Sequence, residues 1–105
     1  MQACAPDVEH VFHQYVIRTA DRVDLRHFLD ARRIGTAIHY PVPVHLQPAY
    51  QGRICSDSLP RTEKLCGEIV SLPMFPQLTD ADVDRVSSAI MEWLERRGPA
   101  QGSAR

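Results

Sequence analysis

Gly35-Thr36-Ala37-Ile38-His39-Tyr40-Pro41-Val42-Pro43-Val44-His45 opens as a short strand and becomes a stiff apolar loop within one motif. Thr36, Ile38 and Tyr40 are β-branched or aromatic and suit a pleated surface. Pro41, Pro43 and the later Pro48 each fix φ near about −65° and remove a backbone donor, so 41–48 is predicted as an extended, polyproline-like loop and not a ladder strand. Val42, Val44 and Leu46 are unusually apolar for a solvated loop and call for something that packs on them. A strand that ends in His39-Tyr40 and leads to His45 is how a rigid scaffold presents side chains to a ligand or partner. On pattern alone, a pocket wall and an ordinary packed loop both stay open.

Upstream, His10-Val11-Phe12-His13-Gln14-Tyr15-Val16-Ile17-Arg18 has the composition and length of a strand. Alternation puts Val11, His13, Tyr15 and Ile17 on one face and Phe12, Gln14, Val16 and Arg18 on the other. Apolar bulk on both faces predicts an inner strand covered on two sides. Asp21 is placed to cap a helix from Arg22 to Arg33, in which Leu25, Phe28, Leu29 and Arg32 fall at helical spacing. Arg32 and Arg33 complement the helix dipole, and Gly35 is the expected left-handed residue that ends it.

Downstream, Gln51 to Ser58 is polar, and a second helix is predicted from Ser58, with Pro60 in its first turn and Glu63 placed to reach back. Leu65, Cys66, Ile69 and Val70 are read as its apolar stripe. Ser71-Leu72-Pro73-Met74-Phe75-Pro76 reads as a short extended segment that its prolines confine to an edge or loop. The last helix has Thr79 as N-cap, Asp82 three residues on, and Leu78 placed to staple onto Val83. Val83, Val86, Ile90 and Leu94 form its predicted stripe with Trp93 beside it, and Arg96, Arg97 and Gly98-Pro99 close it. Three segments follow: a lead-in over 1–9, one domain over 10–97, and a flexible tail over 98–105. The fold class is α+β, a small few-stranded sheet with about three helices packed on it.

Composition bounds the function. The chain has 105 residues, 12 Lys+Arg against 13 Asp+Glu and a net charge of −1, which is one domain with no basic face for a phosphate backbone. Nucleic-acid binding is therefore not expected. No apolar run approaches the ~20 residues of a spanning helix, and the N-terminus lacks the basic and apolar regions of a secretory signal. Cys4, Cys55 and Cys66 match no zinc or redox spacing and read as reduced thiols, which points to the cytoplasm. His10 and His13 point to opposite faces of a strand, and His39 and His45 could converge only if the loop doubled back, so no metal site is expected. Ser71 lies in no nucleophile elbow, Asp80, Asp82 and Asp84 suit a helix N-terminus, and Lys64, the only lysine, reads as a solvated surface residue.

Five blocks then occur in a familiar order: His13-Gln14-Tyr15-Val16-Ile17-Arg18; Gly35 to Pro41; Leu46-Gln47-Pro48-Ala49-Tyr50; Leu59-Pro60-Arg61-Thr62-Glu63; and Ser71-Leu72-Pro73-Met74-Phe75-Pro76-Gln77-Leu78-Thr79. Together they closely resemble the C-terminal part of the DegT/DnrJ/EryC1/StrS family of pyridoxal-phosphate-dependent sugar aminotransferases, from about His10 to Trp93. Between Tyr50 and Leu59 the family's glycine-aromatic pattern is replaced by a stretch holding Cys55 and Ser56.

The resemblance implies the small domain of a fold-type-I aminotransferase. In such enzymes a larger N-terminal domain carries the Schiff-base lysine, the aspartate facing the pyridinium nitrogen and most phosphate contacts. The expected activity of the parent is transfer of an amino group from an amino acid such as glutamate to a keto-sugar nucleotide or keto-cyclitol. Pyridoxal phosphate is implied for the parent enzyme and none for this chain alone, which is expected to be inactive by itself. The implied partners are the missing N-terminal large domain or a homodimer partner, and a keto-sugar substrate. A substrate-facing role carries over to His39 and Tyr40, and to His45 farther along the loop. The competing expectation is a non-catalytic binding or interaction module that docks through the proline loop and the strand bearing Phe12 and Val16.

Overall fold

The computed structural model describes residues 5–53 and 58–98. Two strands, β1 (Tyr15–Arg18) and β2 (Ile69–Leu72), pair antiparallel with Tyr15 opposite Leu72 and Arg18 opposite Ile69. Three helices accompany them: α1 (Arg22–Asp30), α2 (Pro60–Glu68) and α3 (Asp80–Arg96). The α+β class holds. Thr36 to Tyr40 does not form a full strand; Ala37 alone bridges to Ser71, on the side of β2 away from β1. Ser71 therefore lies in the middle of the sheet, and not at the edge that the following prolines suggested. Pro73 comes one residue after β2 ends, so it costs the ladder nothing.

β1 is shorter than the predicted strand and is covered on one face only. Ile17 packs against the core, whereas Val16 is exposed, as are Val11 and Phe12 before it. Among the described residues the expected inner strand is thus an edge strand.

α1 stops at Asp30, three residues before the predicted end, and it is closed by Arg33 and not by Gly35. Arg33 takes the left-handed conformation (φ 58°). Its N–H donates to the Asp30 carbonyl, and the Ile34 N–H donates to the Leu29 carbonyl at 3.0 Å. That pair of bonds is a Schellman closure, and Ile34 and Leu29 supply its apolar contact inside the core.

α2 begins with Pro60 in its first turn, and Glu63 reaches back to accept the Leu59 N–H at 2.8 Å. The expected stripe over Leu65, Cys66, Ile69 and Val70 is corrected: Ile69 and Val70 belong to β2, and no described residue of α2 is buried. The chain passes from helix to strand at Ile69 with no intervening loop. In α3 the Thr79 Oγ1 accepts the Asp82 N–H and the Asp82 carboxylate accepts the Thr79 N–H, a complete capping box. The stripe of α3 is rotated from the expected one. Ala89 and Trp93 are buried, Val86 and Ile90 pack beside them, and Val83 and Leu94 are exposed.

The core is the meeting of α1, α3 and one face of the sheet, with Leu25, Leu29, Ile34, Ala89 and Trp93 at its centre. Burying a side chain of this size contributes roughly 1.5–3 kcal/mol. The Trp93 indole N–H donates to Asp24 Oδ2 at 2.7 Å, and the Arg97 guanidinium lies 4.8 Å from the indole centroid while pairing with Asp21 and Asp24. Phe28 has Arg32 at 3.5 Å and Arg96 at 5.0 Å from its ring centroid. These contacts fasten α1 to α3. The predicted tail beyond Gly98, the Cys4 thiol and the Cys55-Ser56 stretch lie outside the described residues; Cys66 is a free thiol.

Candidate functional site

The two hydrogen bonds between Ala37 and Ser71, at 3.1 and 2.8 Å, fasten the chain just before His39. His39 is exposed and its Nδ1 lies 2.9 Å from Ser71 Oγ, while Ser71 is only 5% exposed. Such a pair resembles a nucleophile and its base. Ser71 is covered in the middle of the sheet, and no third group that would orient the His39 ring as a base is found beside the pair among the described residues. The His39–Tyr40 peptide is cis, and the two rings meet edge to face at 5.6 Å and 84°. Tyr40 stands 67% exposed.

The loop beyond is not one extended run. Two 3-10 turns, Val44–Leu46 and Pro48–Tyr50, are joined through an extended Gln47. His45 turns inward, its side chain only 3% exposed, and its Nε2 lies 3.0 Å from Glu63 Oε1. The same carboxylate accepts from the Leu59 N–H and, at 3.3 Å, from Ser58 Oγ. These donors hold the Glu63 carboxyl below the usual glutamate range, the Leu59 N–H having the largest effect, then the His45 ring, with Ser58 adding to it. Glu63 thereby ties the proline loop to the start of α2. Pro43 is buried with His45, whereas Val42, Val44 and Leu46 stay exposed, so the expected cover for those three residues is not supplied by the described residues.

The sequence-predicted residues divide in two. His39 and Tyr40 stand at the surface on a fastened stem, and His45 serves as an internal clasp. From sequence alone, Ser71 and Glu63 read only as an unsupported nucleophile and a helix cap. Their partners lie 32 and 18 residues away, beyond any local pattern.

Among the described residues, no group of three or more His, Cys, Asp or Glu side chains converges to hold a metal ion. Lys64 has its side chain 67% exposed on α2, with Nζ 3.9 Å from Glu68 Oε1. A lysine that condenses with a carbonyl is desolvated or set beside another cation so that it loses its proton. Lys64 instead stands in solvent beside a carboxylate, and it does not fit the lysine of a pyridoxal phosphate site. Open clefts lie elsewhere among the described residues. One of about 390 Å³ lies at the start of α1, lined by Asp21, Asp24, His27 and Gly67 among others, and one of about 290 Å³ lies between Ile34, Phe75, Leu78 and Val86. Neither includes His39, Tyr40 or His45. No helix among the described residues is long and apolar enough to cross a membrane.

The sequence profile of the DegT/DnrJ/EryC1/StrS aminotransferase family matches residues 1–91. The chain is 48% identical over 93 residues to the dTDP-3-amino-3,4,6-trideoxy-alpha-D-glucose transaminase of Streptomyces venezuelae, covering 88% of this chain and 24% of that protein. It is 38% identical over 84 residues to the dTDP-3-amino-3,6-dideoxy-alpha-D-galactopyranose transaminase of Aneurinibacillus thermoaerophilus, covering 80% and 23%. Among solved structures, S. venezuelae DesV superposes with a TM-score of 0.81 at 47% identity, covering 87% of this chain and 25% of that one. An aminotransferase from Brucella abortus superposes at 0.69 with 38% identity, covering 76% and 22%. The chain thus spans about a quarter of the length of the relatives it matches. A profile match over residues 1–91 and a shared backbone at this identity make one conclusion: the chain belongs to the DegT/DnrJ/EryC1/StrS aminotransferase family.

Proposed function

We propose that this chain provides the C-terminal domain of an aminotransferase that moves an amino group from an amino acid such as glutamate to a keto-sugar nucleotide or keto-cyclitol. The donor leaves as its 2-oxo acid and the acceptor's carbonyl becomes an amine. The observation that carries this reading is the superposition on S. venezuelae DesV over 87% of the chain, which spans only 25% of that enzyme. The family is pyridoxal-phosphate-dependent, and the cofactor supplies the electron sink for the exchange when it is bound. No part of that chemistry is assigned to Lys64. In this reading His39 and Tyr40 close one side of the sugar-binding cleft by hydrogen bonding and packing. His45, clasped by Glu63, holds the loop that continues from them.

Fragment complementation tests it. The S. venezuelae transaminase, truncated to remove the quarter that this chain matches, is combined with this chain and assayed for amino transfer to its dTDP-linked keto-sugar. Restored turnover is expected, with a KM raised roughly tenfold by His39→Ala through loss of one ligand hydrogen bond. With pyridoxal phosphate, the chain alone is expected to show no saturable absorbance change that borohydride fixes on Lys64. A stoichiometric adduct at Lys64, or stand-alone turnover, would overturn the reading. The exposure of Val42, Val44 and Leu46 favours a second reading, a non-catalytic interaction module, which predicts binding to the truncated enzyme without turnover.

A further inference from the structure

We infer that Ser71 is a positioning residue that fixes His39 in one tautomer, with the proton on Nε2 and that N–H offered to an acceptor oxygen of a ligand. The inference rests on the reading of His39 as ligand-facing, and it adds to that reading the form in which the ring is presented.

Ser71 is held on three counts. Its N–H and carbonyl are bonded to Ala37, it lies within β2 opposite Val16, and its side chain is covered. A buried hydroxyl must place its proton on an acceptor. The acceptor that the structure provides is His39 Nδ1 at 2.9 Å. When Ser71 donates to Nδ1, the lone pair there is occupied and the neutral imidazole carries its proton on Nε2. Among the described residues Nε2 has no hydrogen-bond partner, and the residue is exposed, so this N–H is left for something outside the chain.

The placement is also rigid where it matters. The bridge between Ala37 and Ser71 lies two residues before His39, so the backbone that carries the ring and the hydroxyl that steers it are anchored at the same point of the sheet. The edge-to-face contact with Tyr40 limits rotation from the other side. A donor fixed in this way suits a hydroxyl, carbonyl or phosphate oxygen. It disfavours a ligand that presents only donors there, since two N–H or O–H groups would then face each other.

Nitrogen-15 NMR of the full chain, in long-range proton correlation at a pH where the histidines are neutral, reads the tautomer directly and needs no ligand. The Nε2–H form is expected for His39. Ser71→Ala is expected to lower the Nε2–H to Nδ1–H ratio roughly fivefold, the worth of one neutral hydrogen bond, and Ser71→Thr to restore it. A dominant Nδ1–H form in the unaltered chain overturns the inference, even if Ser71→Ala fails to fold. An unchanged ratio in folded Ser71→Ala overturns it as well. The complementation assay separates this from the reading beneath it. If the tautomer behaves as expected and His39→Ala leaves KM unmoved, Ser71 positions the ring and the ligand-facing role of His39 is what fails.

Discussion

Glu63 does two things with one oxygen. It accepts the Leu59 N–H that α2 leaves unpaired, and it meets the ring of His45. The bonds that it accepts lower its pKa, so the sign of the linkage is fixed. The folded carboxyl ionises more readily than the unfolded one, and the stability it contributes is present above the ordinary glutamate value and is lost as pH falls through the lowered value. Glu63→Gln is therefore expected to destabilise the chain at neutral pH, with the difference from the unaltered protein shrinking steadily on acidification. Urea unfolding over a pH series reads this; a difference that grows toward acid would contradict it. The double duty of Glu63 was half legible. Its place four residues after Leu59 announces a helix start, and nothing near it announces His45. The same limit applies to His45: an exposed and a buried histidine read alike in a loop rich in proline.

The elements were legible in proportion to how local their causes are. α3 was readable because Thr79 and Asp82 carry the signal within four residues, whereas its buried face was misjudged by one step because Ala89 and Trp93, not Val83 and Leu94, meet α1. At the switch from α2 to β2, Gly67 lies inside the last turn of the helix and no proline follows before Pro73, so the sequence pattern runs on through Ile69 and Val70 as if they were helical. α1 was overrun for a different reason. Gly35 is a natural stop, but the helix ends earlier because Ile34 must reach the core over Leu29, and that demand puts Arg33 in the left-handed region. A side chain there costs about 1–2 kcal/mol, and glycine removes that cost while adding about 0.5–1 kcal/mol of backbone freedom to the unfolded chain. Arg33→Gly is thus expected to raise stability by about 0.5–1 kcal/mol, measured by chemical denaturation, and Arg33→Val to lower it.

At the scale of the whole molecule, several apolar side chains stay uncovered among the described residues: Val44 is 55% exposed, with Val42, Leu46 and Tyr50 nearby in sequence and Phe12 and Val16 on the strand side. The purified chain is expected to bind an apolar dye and to self-associate as concentration rises in sedimentation velocity. The double substitution Val44→Ser and Leu46→Ser should weaken both effects with little change in unfolding midpoint, since neither side chain is in the core. Unchanged association would place the sticky surface elsewhere. None of this was visible in composition, which at 44% hydrophobic is ordinary. Composition counts apolar residues but does not say whether they meet one another.

The β1–β2 pairing has a consequence for how the chain is made. Arg18 and Glu68 stand side by side at the end of the ladder although 50 residues separate them. On a ribosome adding about 5–20 residues per second, β1 emerges and then waits roughly 2.5–10 s for its partner. Closing so long a loop costs about 3.5 kcal/mol in chain entropy, which the sheet recovers only after β2 arrives. During that interval Val11, Phe12, Val16 and Ile17 form an unpaired apolar edge, open to a neighbouring nascent chain or to a chaperone. The step most exposed to failure is therefore the delay before the sheet can close, and slower translation between β1 and β2 would lengthen it.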